Sequence, residues 1–375
     1  MKKKICFIVA SPLTAEAFLS KHFEYLSPLF DIYLVADFGG HPYQNPFVKG
    51  IKSIPIKRNI SISSDLRALS TLRKYLKEMR FDAVHTVTPK AGLLGTLAGK
   101  WAGVKVRTHI FTGQVWHTKT GIFKQVLKTL DKIIVGAATH ILVDGQSQRQ
   151  FLIKNNIVTE KNSAVLGKGS ISGVDVTRFV PDAATRQQAR AGLKMSDQVI
   201  FMFLGRMNRD KGLLDLARAF AIHHRQFPDS RLVLVGPDEE GITPAIREIC
   251  SSCADAVVFY GSTNKPFEIL QAADVFCLPS YREGFGTSVI EASLLELPVI
   301  SSDTYGLMET IVEGSTGLRH RVGDAAGIAH RMSELMDPAL RQTMGKNGRQ
   351  YVLDHFSAEM ISSQWVNFYK RILGA

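Results

Sequence analysis

The sequence predicts an α/β fold made of two consecutive, mostly parallel-sheet domains. Three observations carry that prediction: the chain has 375 residues, short β-branched runs alternate with helical periodicity throughout, and the pattern restarts after a glycine-rich joint. In the first half, strands are expected at Ile5–Ala10, Ile32–Ala36, Ala83–Thr86, Val104–Thr108 and His140–Val143. Helices are expected between them at Ser64–Met79, Lys90–Trp101 and Phe123–Val135, and Ile54-Pro55 closes a further short strand because proline cannot donate into a ladder. The joint is Gly167-Lys168-Gly169-Ser170-Ile171-Ser172-Gly173. After it, strands are expected at Val199–Leu204, Arg231–Val235, Ala256–Tyr260, Val275–Leu278 and Val299–Ser301. The tail, Ala358–Leu373, reads as a helix with Trp365, Phe368 and Tyr369 on one side. The expected domains are therefore 1–170, with the helix at about 357–375 returning to it, and 171–356. Two such units facing each other would place a ligand cleft between their strand C-termini.

Composition narrows the function. The net charge is +12, but it is unevenly placed: residues 1–170 hold 25 Lys/Arg against 10 Asp/Glu, and the remainder 21 against 24. A nucleic-acid partner is disfavoured, because no zinc spacing, recognition helix or aromatic–glycine RNA motif accompanies the basic half. Four cysteines (Cys6, Cys250, Cys253, Cys277) are too few for a disulfide framework and fit buried thiols in a reducing compartment. The apolar run Ile5–Ala10 is too short for a secretion signal, and no stretch reaches the roughly 18 apolar residues of a membrane span. A cytoplasmic protein, or one resting on the inner face of the membrane, is expected. The strand Ile5–Ala10 runs into Ser11-Pro12-Leu13-Thr14 with no G-x-G-x-x-G, which argues against a dinucleotide oxidoreductase.

Two stretches carry chemistry. Tyr281-Arg282-Glu283-Gly284-Phe285-Gly286-Thr287-Ser288-Val289-Ile290-Glu291 joins a strand to a helix. Gly284 and Gly286 leave amides uncovered at the helix N-terminus, where backbone N–H groups and the helix dipole favour phosphate. Glu283 and Glu291 offer two acceptors, spaced along an extended ligand, for sugar or ribose hydroxyls. Gly205-Arg206-Met207-Asn208-Arg209-Asp210-Lys211-Gly212 follows the strand Val199–Leu204, and Arg206 and Lys211 flank a turn where two cations can neutralise a diphosphate.

These residues resemble a known family. Glu283…Glu291 is similar to the E-x7-E motif of the large retaining GT-B glycosyltransferase family (family 4 type). Gly205-Arg206…Lys211-Gly212 resembles its G-R-x4-K-G loop, and Gly173-Val174-Asp175…Arg178-Phe179 its interdomain signature. The resemblance runs the full length, is strongest over residues 165–300, and points to bacterial enzymes that extend lipid-diphosphate-linked glycans for O-antigen, capsule or N-glycan precursors. It implies a GT-B fold of two Rossmann-like domains facing a central cleft. It also implies that Arg206 and Lys211 hold the donor diphosphate and stabilise the departing nucleotide, that Glu291 binds the ribose, and that Glu283 contacts the transferred sugar. The backbone at Gly284, Phe285, Gly286 and Thr287 would line sugar and phosphate. His109 corresponds to a histidine that family members place near the reacting carbon, with Thr112 or Gln114 as alternatives; Lys90 is either an acceptor-phosphate ligand or a surface lysine. The implied partners are a nucleotide-sugar donor, UDP-linked by family frequency with GDP-mannose as the alternative, and a lipid-diphosphate-linked saccharide acceptor. No cofactor and no metal are expected, since no Asp-x-Asp occurs and the cations stand in for a divalent ion. An epimerase or phosphorylase of the same fold is the nearest rival. The amphipathic stretch Gly121–Val135, with Lys124, Lys128 and Lys132, suggests that residues 1–170 touch anionic membrane; the alternative is a helix whose apolar face lies in the core.

Overall fold

A run of Ile5, Cys6, Phe7 and Ile8, fully buried, makes β1 (Lys3–Ile8) an interior strand of the first sheet in a computed structural model that describes residues 2–57 and 61–374. Around it lie β2 (Phe30–Ala36), β3 (Gly50–Ser53), β4 (Ala83–Val87), β5 (Val106–Phe111), β6 (His140–Val143) and β7 (Ser163–Ala164). Among the described residues they form one parallel sheet in the order β3-β2-β1-β4-β5-β6-β7. All five residues of β4 are buried, as expected of a parallel strand covered by helices on both faces. The chain divides into two compact units, Met1–Gly173 with Ala358–Ala375, and Val174–Ser357. Gly167, Gly169 and Gly173 in the joint all have positive φ, and a Cβ on Gly169 would strike the carbonyl of Asp144.

The helix Ala358–Leu373 belongs to the first unit and closes one face of its sheet. Trp365, 1% exposed, lies between two imidazoles, with ring centroids 4.1 Å from His22 and 4.6 Å from His85. Tyr369 meets His85 Nδ1 at 2.6 Å, and His22 binds Ser362 Oγ at 2.8 Å and the carbonyl of Ile171 at 2.6 Å. Removing the indole leaves a cavity in a close-packed interior. Trp365→Ala therefore lowers the unfolding free energy by about 3–5 kcal/mol, measured by urea denaturation.

The second unit holds β8 (Val199–Leu204), β9 (Ser230–Val235), β10 (Val257–Gly261), β11 (Val275–Leu278), β12 (Val299–Ser302) and β13 (Gly317–His320). Among the described residues these form a second parallel sheet, ordered β10-β9-β8-β11-β12-β13. Strand order therefore reverses between β8 and β11, so the connections leaving these two neighbours diverge to opposite faces and open a crevice at their C-terminal ends. The first sheet has the same reversal between β1 and β4.

β1 lies two residues earlier than the sequence reading placed it, at Lys3–Ile8 rather than Ile5–Ala10, and three other strands depart from that reading in more than their bounds or by as much. β7 has two residues and β13 reads Gly-Leu-Arg-His, so neither shows an apolar alternation. β5 starts at Val106 and continues to Phe111, where the sequence reading ended it at Thr108; its last four residues are all buried.

Candidate active site

The turn after β8 is shaped by glycine. Gly205 (φ 155°) donates its amide to the Val235 carbonyl at 2.9 Å, and Gly236 approaches so closely that a Cβ there would strike the Gly205 carbonyl. Met207 is buried and anchors the turn, while Arg206 projects outward. Its Nη1 donates to both oxygens of Glu239, at 3.1 and 3.2 Å, and Asn208 Nδ2 donates to the same carboxylate at 3.3 Å. A single helical turn, Arg209–Lys211, then carries Lys211 back toward the sheet, and Gly212 (φ 71°) opens the helix Leu213–His224. Gly212 lies against the Pro279 carbonyl with no room for a Cβ, which brings this turn onto the loop after β11.

That loop is the glycine–carboxylate stretch. The Tyr281 amide donates to the Asp210 carbonyl at 2.8 Å, and Arg282 Nη2 reaches Asp210 Oδ2 at 3.1 Å. Lys211 Nζ forms an ion pair with Glu283 Oε1, which also accepts from Ser280 Oγ at 2.8 Å. Residues 72 positions apart are thus joined because their loops leave adjacent strands at the point of reversal. Tyr281 Oη donates to Asp215 Oδ2 at 2.6 Å, and this bond pushes the phenol up to about 12. The turn after β12 supports the loop from behind: Thr304 Oγ1 donates to the Tyr281 carbonyl at 3.0 Å, and the Gly286 amide donates to that of Gly306 at 3.1 Å.

From Gly286 the helix Thr287–Leu294 carries Glu291 one turn inward. Burial pushes the Glu291 carboxyl up to about 7, against the opposing pull of Arg178. Arg178 itself rests on Phe267, 4.6 Å from the ring centroid. Phe285 is buried, edge-on to Phe356 at 5.2 Å, so at this position the backbone rather than the side chain is left to line a ligand.

The second unit therefore brings Arg206, Lys211, Glu283, Gly284, Gly286 and Thr287 to the C-terminal edge of one sheet. Sequence reasoning missed the partners that hold them: Glu239, Asn208, and the Arg282–Asp210 pair. The available signal for Glu239 was the acidic run Asp238-Glu239-Glu240 just beyond β9.

The first unit treats its candidate differently. His109 is 1% exposed and sits within β5, two residues before its end, beneath the helix Pro89–Trp101. A Cβ on Gly92 would collide with the imidazole, and His109 Nδ1 meets Thr86 Oγ1 at 2.8 Å. Burial pushes this histidine down to about 3, so it is neutral across ordinary pH. The sequence reading placed the ring beyond the strand; extension of β5 to Phe111 instead seats it between sheet and helix. Gln114 is buried and accepts from Gln148 Nε2 at 2.9 Å, while Thr112 is half-buried. Lys90 is largely buried and pairs with Asp65 at 2.7 Å.

Comparison with known proteins matches both units. The family described as glycosyl transferases group 1 matches residues 185–351, and that described as Glycosyltransferase Family 4 matches residues 23–169. The capsular polysaccharide biosynthesis glycosyltransferase CapM of Staphylococcus aureus is 32% identical, with 85% of this chain and 84% of the relative covered. The UDP-Gal:alpha-D-GlcNAc-diphosphoundecaprenol alpha-1,3-galactosyltransferase of Escherichia coli is 27% identical over 95% of this chain and 94% of its own length. Among solved structures, sucrose-phosphate synthase from Thermosynechococcus elongatus superposes with a TM-score of 0.82 at 22% identity, covering 100% of both chains, which speaks to the fold alone. Among the described residues no helix is long and apolar enough to cross a membrane, and no group of three or more His, Cys, Asp or Glu is placed to hold a metal ion. Two parallel-sheet Rossmann-like units, matching families over both and a relative above 30% identity over most of the chain agree: this chain belongs to the group 1/family 4 glycosyltransferases and is a glycosyltransferase of GT-B fold.

Proposed function

We propose that this enzyme transfers a hexose or N-acetylhexosamine, with retention of anomeric configuration, from a UDP-linked donor to a lipid-diphosphate-linked saccharide in bacterial surface polysaccharide assembly, without a metal ion. The observation that carries the reading is the joining of the basic turn to the glycine–carboxylate loop through Lys211–Glu283 and Arg282–Asp210. In this reading Arg206 and Lys211 grip the donor diphosphate. Negative charge builds on the leaving nucleotide as the glycosidic bond breaks, and preorganised cations beside it lower the barrier. The diphosphate exchanges for Glu239 at Arg206; an exposed pair of that kind contributes about 0–1 kcal/mol, so its loss opposes binding weakly. Glu283 takes sugar hydroxyls, Glu291 takes the ribose, and the backbone from Gly284 to Thr287 lines the sugar and phosphate. His109 serves the packing of the first unit. The acceptor class is supported by the Escherichia coli relative, whose name describes transfer to a diphosphoundecaprenol-linked GlcNAc.

A screen of UDP- and GDP-sugars against lipid-diphosphate-linked saccharides, with product mass and anomeric coupling read out, tests the assignment. Transfer from one donor, unchanged by EDTA and giving the same anomer as the donor, is expected. Abolition by EDTA, or donor turnover that needs no acceptor, contradicts it.

Glu291 gives this reading a pH dependence. Its carboxyl is raised to about 7, so the protonated form accumulates where an ordinary glutamate is ionised, and a protonated acid accepts fewer ribose bonds. Donor KM therefore rises, by about tenfold, as pH falls through that value and is lowest above it. Glu291→Gln removes the dependence. Donor KM measured about one pH unit either side checks this.

A further inference from the structure

We propose that a polar cavity beside β13, at the outer edge of the second sheet, binds a sugar phosphate, and that its occupation steadies the glycine–carboxylate loop. The cavity measures about 480 Å³, inside the roughly 300–1,000 Å³ of ligand pockets. β12 lies between β13 and β11, so strand spacing sets the cavity roughly 10 Å from the loop after β11. It is a second place, apart from the turn that carries Arg206 and Lys211. Among the described residues no apolar side chain lines it; its wall is three arginines, two histidines, three carboxylates and Gly327. Ligand pockets are ordinarily mostly apolar, so a wall of this kind takes a ligand as polar as itself.

The arginines offer open donors. Arg319 Nη1 and Arg331 Nη2 stand 3.7 and 3.8 Å from Glu313, beyond hydrogen-bonding reach, so a closer acceptor can take both. Arg319 Nε is buried without a partner among the described residues, and Arg321 is exposed with none for its side chain. The other groups offer acceptors. His320 is 5% exposed; its Nδ1 donates to the Arg321 carbonyl at 2.7 Å, and Nε2 has no partner among the described residues. Burial holds this imidazole below the ordinary histidine value, so Nε2 is a bare acceptor at neutral pH. Asp303, Glu313 and Asp324 each accept one backbone amide, from Val322 at 3.0 Å, Arg319 at 2.8 Å and Gly327 at 2.8 Å. Those bonds fix the carboxylates and leave lone pairs for hydroxyls. Guanidinium groups match a phosphate, and carboxylates with a bare imidazole nitrogen match hydroxyls; a sugar phosphate carries both. Inorganic phosphate alone fills only the arginine part, and a nucleotide finds no apolar wall for its base.

Two walls of the cavity also hold the donor loop. Asp303 precedes Thr304, which donates to the Tyr281 carbonyl at 3.0 Å. Gly323, next to Asp324, lies so close that a Cβ there would stand 3.1 Å from Tyr281 Oη. Tyr281 opens the loop that carries Glu283, so a ligand spanning Asp303 and the turn 321–324 ties both supports together. A loop ordered beforehand loses less freedom when the donor arrives, which makes the two ligands cooperative. This coupling, unlike the site itself, rests on the donor reading of that loop.

Calorimetry of the full chain with glucose 6-phosphate, glucose and inorganic phosphate, without donor or acceptor, tests the site. Glucose 6-phosphate is expected to bind about tenfold or more tightly than either of the others. Arg321→Gln should weaken its binding about tenfold with the fold intact, and Arg321→Lys should recover part of the loss. Saturating glucose 6-phosphate should tighten UDP or GDP binding by about fivefold or more and slow hydrogen exchange at the amides of 281–287. Neither change is expected in Arg321→Gln. No binding, binding unchanged in Arg321→Gln, or displacement by UDP or GDP overturns the site, the last because the probe would then sit at the donor turn. Equal affinity for inorganic phosphate overturns the sugar-phosphate assignment. Binding that leaves nucleotide affinity and exchange unchanged overturns the coupling. Failure of the glycosyl-transfer reading would appear separately, as no transfer to any acceptor with glucose 6-phosphate still bound.

Discussion

Arg206→Ala lowers kcat/KM for the nucleotide sugar by about 10²–10³ and leaves the melting temperature within roughly two degrees of wild type. The activity loss follows from removing one fixed cation from the place where leaving-group charge develops. The small thermal effect follows from geometry: the guanidinium is half exposed, it donates to the oxygens of Glu239, and Asn208 still donates to that carboxylate after the change. Arg206→Lys restores only part of the rate, because an ammonium cannot reproduce a two-pronged contact with phosphate oxygens. Steady-state kinetics with varied donor, beside a thermal melt, checks both halves. Wild-type kinetics in Arg206→Ala would remove the diphosphate role from this residue.

Lys211 and Glu283 should behave as one unit. Lys211→Met and Glu283→Gln each lower kcat/KM by about 10² or more, and the double variant falls well short of the product of the two losses. The non-additivity is expected because the side chains are bonded to each other and only 18% and 12% exposed, so either single change also leaves its partner unpaired. Lys211→Met destabilises the second unit by about 3 kcal/mol or less, with Ser280 still donating to the orphaned carboxylate. A full double-mutant cycle on rate and on denaturation midpoint measures the coupling. Simple multiplication of the two rate losses would mean that the pair does not act together on the donor.

What could be read from the sequence follows from how each feature is encoded. Gly205, Gly212 and Gly286 were legible because a tight turn writes itself as glycine at fixed spacing. Buried parallel strands were legible because they are apolar on both faces, as in β8 and β11. The partners of the cations were not, because a pair such as Arg206–Glu239 is made between loops that follow different strands, and one sequence carries no record of which loops meet. The strand order supplies that record: β8 and β11 are neighbours although β9 and β10 lie between them in the chain. The surroundings of His109 were not legible: the sequence reading ended the strand at Thr108, yet the strand continues to Phe111 and a small residue, Gly92, leaves room for the ring underneath the helix. The helix Gly121–Ala137 shows the limit of periodicity itself: of the apolar residues it grouped, Ile134 is buried and Leu127 packs against the core, while Phe123, Val126 and Ile133 are exposed.

Calorimetric titration of UDP and UMP, and of GDP and GMP, into wild type and Arg206→Ala in EDTA tests the central claim most directly. A nucleoside diphosphate is expected to bind wild type at least tenfold more tightly than its monophosphate without any metal, and most of this gap is expected to disappear when the Arg206 guanidinium is removed. Equal affinity for the diphosphate and monophosphate, or a gap that survives in the variant, would contradict it.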